Sequence, residues 1–180
     1  MQDPPGFREY VAARRDHLVR IGVLLTGDRH LAEDLVQAAL VRVWPRWARV
    51  SRGENVDAYV RRIMTSTFLN WRRRKWHGEY PTDVAADAAI LALPDGGDAF
   101  TRWDDAEALL ADLRRLPPRQ RAVVVLRFYD DLTLDECAEA LGCSVGTVKS
   151  QLHRALGTLR ERAARRDRQD AMTQAERADP

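Results

Sequence analysis

The chain has 180 residues, 29 Lys+Arg against 27 Asp+Glu, a formal net charge of +2, and is 45% hydrophobic and 31% charged. That length suits one ordinary domain or two small ones, and the apolar content excludes wholesale disorder. The longest stretches free of Asp, Glu, Lys and Arg, 63–71 and 140–148, are nine residues long, far short of the roughly 20 that a membrane span needs.

The opening MQDPPGFREY has neither the basic start nor the apolar run of an export leader. Two cysteines, Cys137 and Cys143, make neither a disulfide framework nor a zinc site. The expectation is a cytoplasmic protein of a reducing compartment, with no metal, no cofactor and no membrane insertion. From Phe7 to Leu25 apolar residues recur at helical spacing, and Gly27 is a fitting stop. Asp28 can cap a second helix, in which Leu31, Leu35, Ala39 and Val43 recur every four residues and Val36 and Leu40 widen the stripe. Pro45 ends or kinks that helix near Trp44. A loop around 51–55 then precedes a third helix, with Val56, Val60, Ile63, Thr67 and Trp71 on one face and Arg61, Arg62, Thr65, Asn70 and Arg73 on the other.

The third helix interleaves its bases with Tyr59, Phe68, Trp71 and Trp76. Basic side chains track phosphates while aromatic rings stack on unpaired bases, so the pattern suits single-stranded or melting DNA better than duplex. Phe68 and Trp71 read better as core; Tyr59 and Trp76 stay as candidates for stacking. The charge then reverses. Between Glu79 and Asp112 nine acids face one base, Arg102, for a net of −8. With Pro81, Pro94, Gly96 and Gly97, the segment 78–104 reads as an acidic flexible linker between two basic modules, an arrangement that points to anionic partners.

Beyond it, a helix over 104–116 stops at Pro117-Pro118, and another covers 119–129. Thr133 followed by Glu136 fits a capping box, Leu134, Cys137, Ala138 and Leu141 make an inward face, and Gly142 supplies a turn. Ser144 can cap the next helix, where Val145, Val148, Leu152, Leu156 and Leu159 face inward. Gly146, Thr147, Lys149, Ser150, His153 and Arg154 are left outward. A short helix, a glycine turn and a second helix with small polar and basic outward residues is the device that reads the DNA major groove. The stretch 164–180 is polar, has no apolar periodicity, and is expected to be a disordered tail. No segment alternates as a strand. The fold class is therefore all-α: two small helical domains, 7–77 and 105–163, joined by the acidic linker.

Three motifs in order, Leu24-Leu-Thr-Gly-Asp-Arg-His-Leu-Ala-Glu-Asp-Leu-Val-Gln37, the Tyr59–Arg74 helix, and Leu116-Pro-Pro-Arg-Gln-Arg121 through Leu159, resemble regions 2 and 4 of bacterial sigma-70 family sigma factors. The two-domain length resembles the extracytoplasmic-function (group IV) class, in an actinobacterial style. The resemblance implies a factor that binds core RNA polymerase and directs promoter-specific initiation by recognising −10 and −35 elements and assisting strand opening. It implies that Asp34, Leu35 and Gln37 dock on the coiled coil of the largest polymerase subunit. The loop carrying Arg52 and Asn55 would receive a flipped base of the −10 element, with Arg61, Arg62, Thr65 and Arg73 along the melted strand. The helix starting at Ser144 would read the −35 element as duplex. An anti-sigma factor is a further partner class that the resemblance implies. The sequence departs from the family's frequent Asn at Ser66 and Asp at Asn70, so no contact role is carried to those two positions.

Rival functions need other features. A nucleic-acid enzyme needs clustered carboxylates for metal or a Ser/Cys-His arrangement, whereas the acids here concentrate in the linker. The alternative of a stand-alone helix-turn-helix regulator has no use for the aromatic-basic third helix, and a pure adaptor needs neither basic module.

Overall fold

The computed structural model describes residues 3–53, 55–75 and 103–178, and among these every regular element is helical. Helix α1 (Phe7–Thr26) ends because Gly27 takes a left-handed φ of 78° and its N–H returns to the Val23 carbonyl at 2.7 Å. Asp28 then caps α2 (Arg29–Val43), its carboxylate accepting from the Leu31 N–H at 2.8 Å. The two helices cross very closely where Gly22 meets Ala32: a Cβ on Gly22 would lie 2.9 Å from the Ala32 Cβ. Leu18, Ile21, Leu24 and Leu25 of α1 and Leu35, Ala39 and Val43 of α2 are the buried stripes that the periodicity indicates.

Helix α2 ends at Val43, as Pro45 leads one to expect, but the chain stays helical beyond it. Pro45 sits in the first turn of a 3₁₀ segment, Trp44–Arg46, where its missing N–H costs nothing, and α3 (Trp47–Gly53) follows directly. The expected loop around 51–55 is therefore shorter, since Ser51–Gly53 belong to α3. Helix α4 (Val56–Lys75) packs on α2 through Val60, Met64 and Phe68, all at most 1% exposed. Phe68 is thus core, Trp71 is half-buried, and Trp76 lies outside the described residues. So does the expected linker, apart from its last two positions, Trp103 and Asp104, which begin α5 (Trp103–Arg115).

Helix α6 (Pro118–Val124) runs into one π-helical turn, Val125–Tyr129. Helix α7 (Leu134–Leu141) and α8 (Val145–Ala178) complete the chain. The segment 164–180, expected to be a disordered tail, is helical as far as Ala178. Nothing from Thr158 to Ala178 breaks a helix, and Ala, Arg, Gln and Glu there are strong helix formers that need no apolar stripe. Arg166 also ties this extension back to Asp112 of α5 at 2.6 Å.

The two halves, read from sequence as independent modules, pack on each other. One continuous core contains Leu24 and Val60 of the first half together with Leu110, Leu113 and Ala122 of the second. A second, smaller cluster around Val123, Leu126, Cys137 and Val148 belongs to the second half alone. Arg121 bolts the halves together: its guanidinium is 1% exposed and donates to the carbonyls of Leu25 at 2.6 Å, of Leu116 at 3.4 Å, and of Arg114. Burial, then the nearby Arg72 and Arg114, push its pKa down to about 9, still well above neutral, so the buried charge persists on carbonyl oxygens alone.

Candidate nucleic-acid and protein interfaces

The second half presents a complete helix-turn-helix. The Thr133 hydroxyl accepts from the Glu136 N–H at 3.2 Å while the Glu136 carboxylate accepts from the Thr133 N–H at 2.8 Å. That backbone bond, and after it the Thr133 hydroxyl, hold the Glu136 carboxyl below the usual carboxylate range. Gly142 turns the chain at a φ of 62°, and the Cys143 N–H reaches back to the Ala138 carbonyl at 3.0 Å. Ser144 then caps α8, accepting from the Thr147 N–H at 3.2 Å. With Cys137 and Val148 fully buried between the two helices, Ser144, Gly146, Lys149, Ser150, His153 and Arg154 are exposed and Thr147 is half-exposed. The seven expected reading residues therefore share one open side at the start of α8. All are small, polar or basic, which is what close approach to phosphates and base edges requires.

Helix α4 divides its polar residues between two faces. Arg61, Thr65 and Arg72 fall on one line of the helix and face the second half. The Arg61 guanidinium donates to Asp130 at 3.3 Å, and the Thr65 hydroxyl, 1% exposed, donates to the Arg61 carbonyl at 2.8 Å. Arg62, Asn70 and Arg73 lie on the neighbouring line and are exposed. Thr65 thus contacts nothing outside the chain in this arrangement, and Arg61 is engaged internally. Asn55 is exposed, but its side-chain oxygen caps α4 by accepting from the Ala58 N–H at 3.2 Å. Arg52 is exposed on the last turn of α3, and Tyr59 is half-buried against the core.

A groove of about 450 Å³ opens between α1 and α2, floored by Phe7, Val19 and Leu40. One wall is a ridge of Asp34, Gln37 and Val41, spaced three and four residues apart and all exposed, Val41 to 67%. Leu35 is not part of that ridge. At 0% exposure it is a core residue that positions α2 and offers nothing to a partner. Sequence reasoning missed Val41, whose only signal is an apolar side chain lying off the Leu31–Leu35–Ala39–Val43 stripe. Among the described residues, no three His, Cys, Asp or Glu gather as a metal site and no helix is long and apolar enough to cross a membrane.

Two family models match parts of the chain. The model for sigma-70 region 2 matches residues 10–78, and the model for sigma-70 region 4 matches residues 106–159. The RNA polymerase sigma-E factor of Streptomyces avermitilis is 44% identical over 162 residues, 89% of this chain and 87% of that one. The ECF RNA polymerase sigma factor SigW of Bacillus subtilis is 27% identical, over 88% of this chain and 89% of that one. Among solved structures, the sigma factor RpoE of Bartonella quintana, in complex with the anti-sigma factor NepR, matches with a TM-score of 0.70 at 22% identity. That match covers 89% of this chain and 98% of that one, and its likeness is one of fold. The chain belongs to the sigma-70 family of RNA polymerase sigma factors, in the extracytoplasmic-function class.

Proposed function

We propose that this sigma factor directs promoter-specific initiation through three surfaces, each carrying one contact. The ridge Asp34–Gln37–Val41 and the groove beside it receive the coiled coil of the largest subunit of core RNA polymerase. The exposed start of α8 reads a −35 element in duplex form, with Lys149 and Arg154 supplying charge and Gly146 and Thr147 permitting close approach. The exposed Arg62 and Arg73 of α4, with Arg52, Asn55 and Tyr59 before them and Arg61 and Thr65 once they are uncovered, follow the melted strand of a −10 element. In this reading the factor supplies binding, the chemistry of RNA synthesis belongs to the polymerase, and the protein works in the cytoplasm, where promoter DNA and polymerase meet. An anti-sigma factor is the further partner class.

The observation that supports this reading best is the open side of α8: of seven residues chosen from sequence pattern alone, six lie together fully exposed and the seventh, Thr147, is half-exposed among them. Physics favours dividing recognition between two modest surfaces. Tethering raises the effective concentration of the second contact and strengthens binding by about 10²–10⁴-fold when both can form. A gel shift of a promoter fragment with the factor alone, with core polymerase alone and with both tests it. A specific shift that requires both proteins is expected. A specific shift of equal affinity without polymerase favours a stand-alone helix-turn-helix regulator.

A further inference from the structure

We infer that Asp57, held from α1 by Tyr10 and Arg14, is a positioning residue for the turn between α3 and α4, and that this tie sets how Arg52 and Asn55 meet a −10 base. The inference rests on the reading of Arg52 and Asn55 as −10 contacts and adds what holds them in place.

The turn has little of its own to fix it. Arg52, Gly53 and Asn55 are exposed, and a Cβ added to Gly53 would meet nothing within 4 Å. The bonds of Asn55 stay inside the first turn of α4, its side chain accepting from the Ala58 N–H and its carbonyl from the Tyr59 N–H. Orientation must therefore come from the two stems. On the α3 side Trp47 is 3% exposed, and its ring meets Phe7 edge-on at 5.1 Å and Tyr10 at 5.2 Å. Its indole N–H donates to the Pro5 carbonyl at 2.9 Å. On the α4 side one Asp57 oxygen accepts from the Tyr10 hydroxyl at 2.9 Å and the other from the Arg14 guanidinium at 2.5 Å. Tyr10 thus touches both stems. Burial, then the Asp57 charge, hold its hydroxyl above the usual tyrosine range, so it stays a donor.

Two features set this tie apart from packing. The core of the first half does not need it: α4 packs on α2, and α1 has no broad contact with α4. An ion pair with 48% and 29% of its side chains exposed adds little stability, and the N-terminus of α4 already suits an acid there. Yet both bonds cross more than forty residues of sequence to reach the very turn that Asn55 caps. The second feature is charge. An acid two residues past Asn55 would repel the strand that Arg52, Arg62 and Arg73 attract; Arg14 offsets that charge, and the two bonds draw it toward α1. The tie belongs to the first half alone, and takes no part in the seam where His17 Nε2 meets Asp130 at 2.9 Å.

Full-length Tyr10→Phe, which keeps the ring against Trp47, Arg14→Ala and Asp57→Ala test this together with core polymerase. The template is a promoter that the factor itself selects, randomised in one pool over its −10 element and in another over its −35 element. Run-off transcription from each pool gives the ratio of best to worst base at every position. Each variant should lose about tenfold of that ratio at one −10 position, the scale of a single base contact, with the −35 ratios unchanged within about twofold. A merely structural role would instead lower transcription evenly across both pools, and that result overturns the proposal. Because both partners act through one carboxylate, Tyr10→Phe and Arg14→Ala should change nothing further once Asp57 is alanine. A full additional loss in that background also overturns it. If Arg52→Ala and Asn55→Ala leave every −10 ratio intact, the turn is not a reader, and the −10 assignment falls along with the tie. If they remove a −10 preference that Tyr10→Phe and Arg14→Ala spare, the tie alone falls.

Discussion

Replacing Gly22 by alanine should destabilise region 2, although alanine is the better helix former. A Cβ at this position would lie 2.9 Å from the Ala32 Cβ, 3.1 Å from its Cα and 3.2 Å from its carbonyl oxygen. Ordinary carbon contacts are about 3.5–4.0 Å. Two of these three neighbours are backbone atoms, so no side chain can swing aside and α1 and α2 must separate. Overpacking of this kind costs about 1–3 kcal/mol, against a gain of about 0.5–1 kcal/mol from replacing glycine in a helix. The net loss should be about 1–2 kcal/mol, or roughly 3–6 °C of melting temperature for a chain of this size. Gly157 is the control: it lies inside α8 with nothing within 4 Å of an added Cβ, so the same substitution there should stabilise by about 0.5–1 kcal/mol. Because α1 and α2 are the walls of the groove proposed to receive polymerase, Gly22→Ala should also weaken co-sedimentation with core enzyme, and Gly157→Ala should not. Thermal denaturation of both variants decides it. A Gly22→Ala protein as stable as the parent, or more so, would show that the crossing is looser than described.

Three further outcomes are expected. Converting Asp34 and Gln37 together to arginine should leave the melting temperature within about 0.5 kcal/mol of stability, since both are exposed, yet abolish co-purification with core polymerase; retained assembly at parental affinity would displace the docking surface. Lys149→Ala and Arg154→Ala should each weaken promoter binding. A guanine read bidentately would take about 1–3 kcal/mol of base discrimination with it, a phosphate contact would lower affinity evenly across sequences, and no change in either variant would remove α8 as the reader. Cys137 is fully buried and burial pushes its thiol up to about 11, so it stays protonated at pH 8 and unreactive. Titration with a thiol reagent should therefore find one reactive group in the native protein, the half-buried Cys143, and two after denaturation; two fast native thiols would contradict the packing of α7 on α8.

Local chemistry was legible and long-range packing was not. Gly27, Asp28, the Thr133–Glu136 box and Ser144 each do what their residue type does to the nearest backbone, so the helix ends they mark stand where the sequence puts them. Pro45 ends α2 at Val43 as expected, but proline also suits a first turn, so the chain runs on through a 3₁₀ segment into α3, a continuation that left no signal of its own. Leu35 and Asp34 are adjacent in a family motif, yet the four-residue stripe already assigned Leu35 to the core, and its 0% exposure follows the stripe rather than the motif. The seam between the halves left no local trace. His17 and Asp130 are 113 residues apart, and neither Arg61 nor Thr65 differs by pattern from the exposed Arg62.

Run-off transcription is the most direct measurement of the central claim that the chain confers promoter choice on polymerase. Core enzyme alone, and core enzyme with the factor, would be given the same pool of genomic fragments, and the transcript starts mapped. The factor should create a defined set of starts, each preceded by one shared pair of −10 and −35 sequences, and these starts should vanish with the Asp34→Arg/Gln37→Arg protein. Starts no different from those of core enzyme alone would contradict the account.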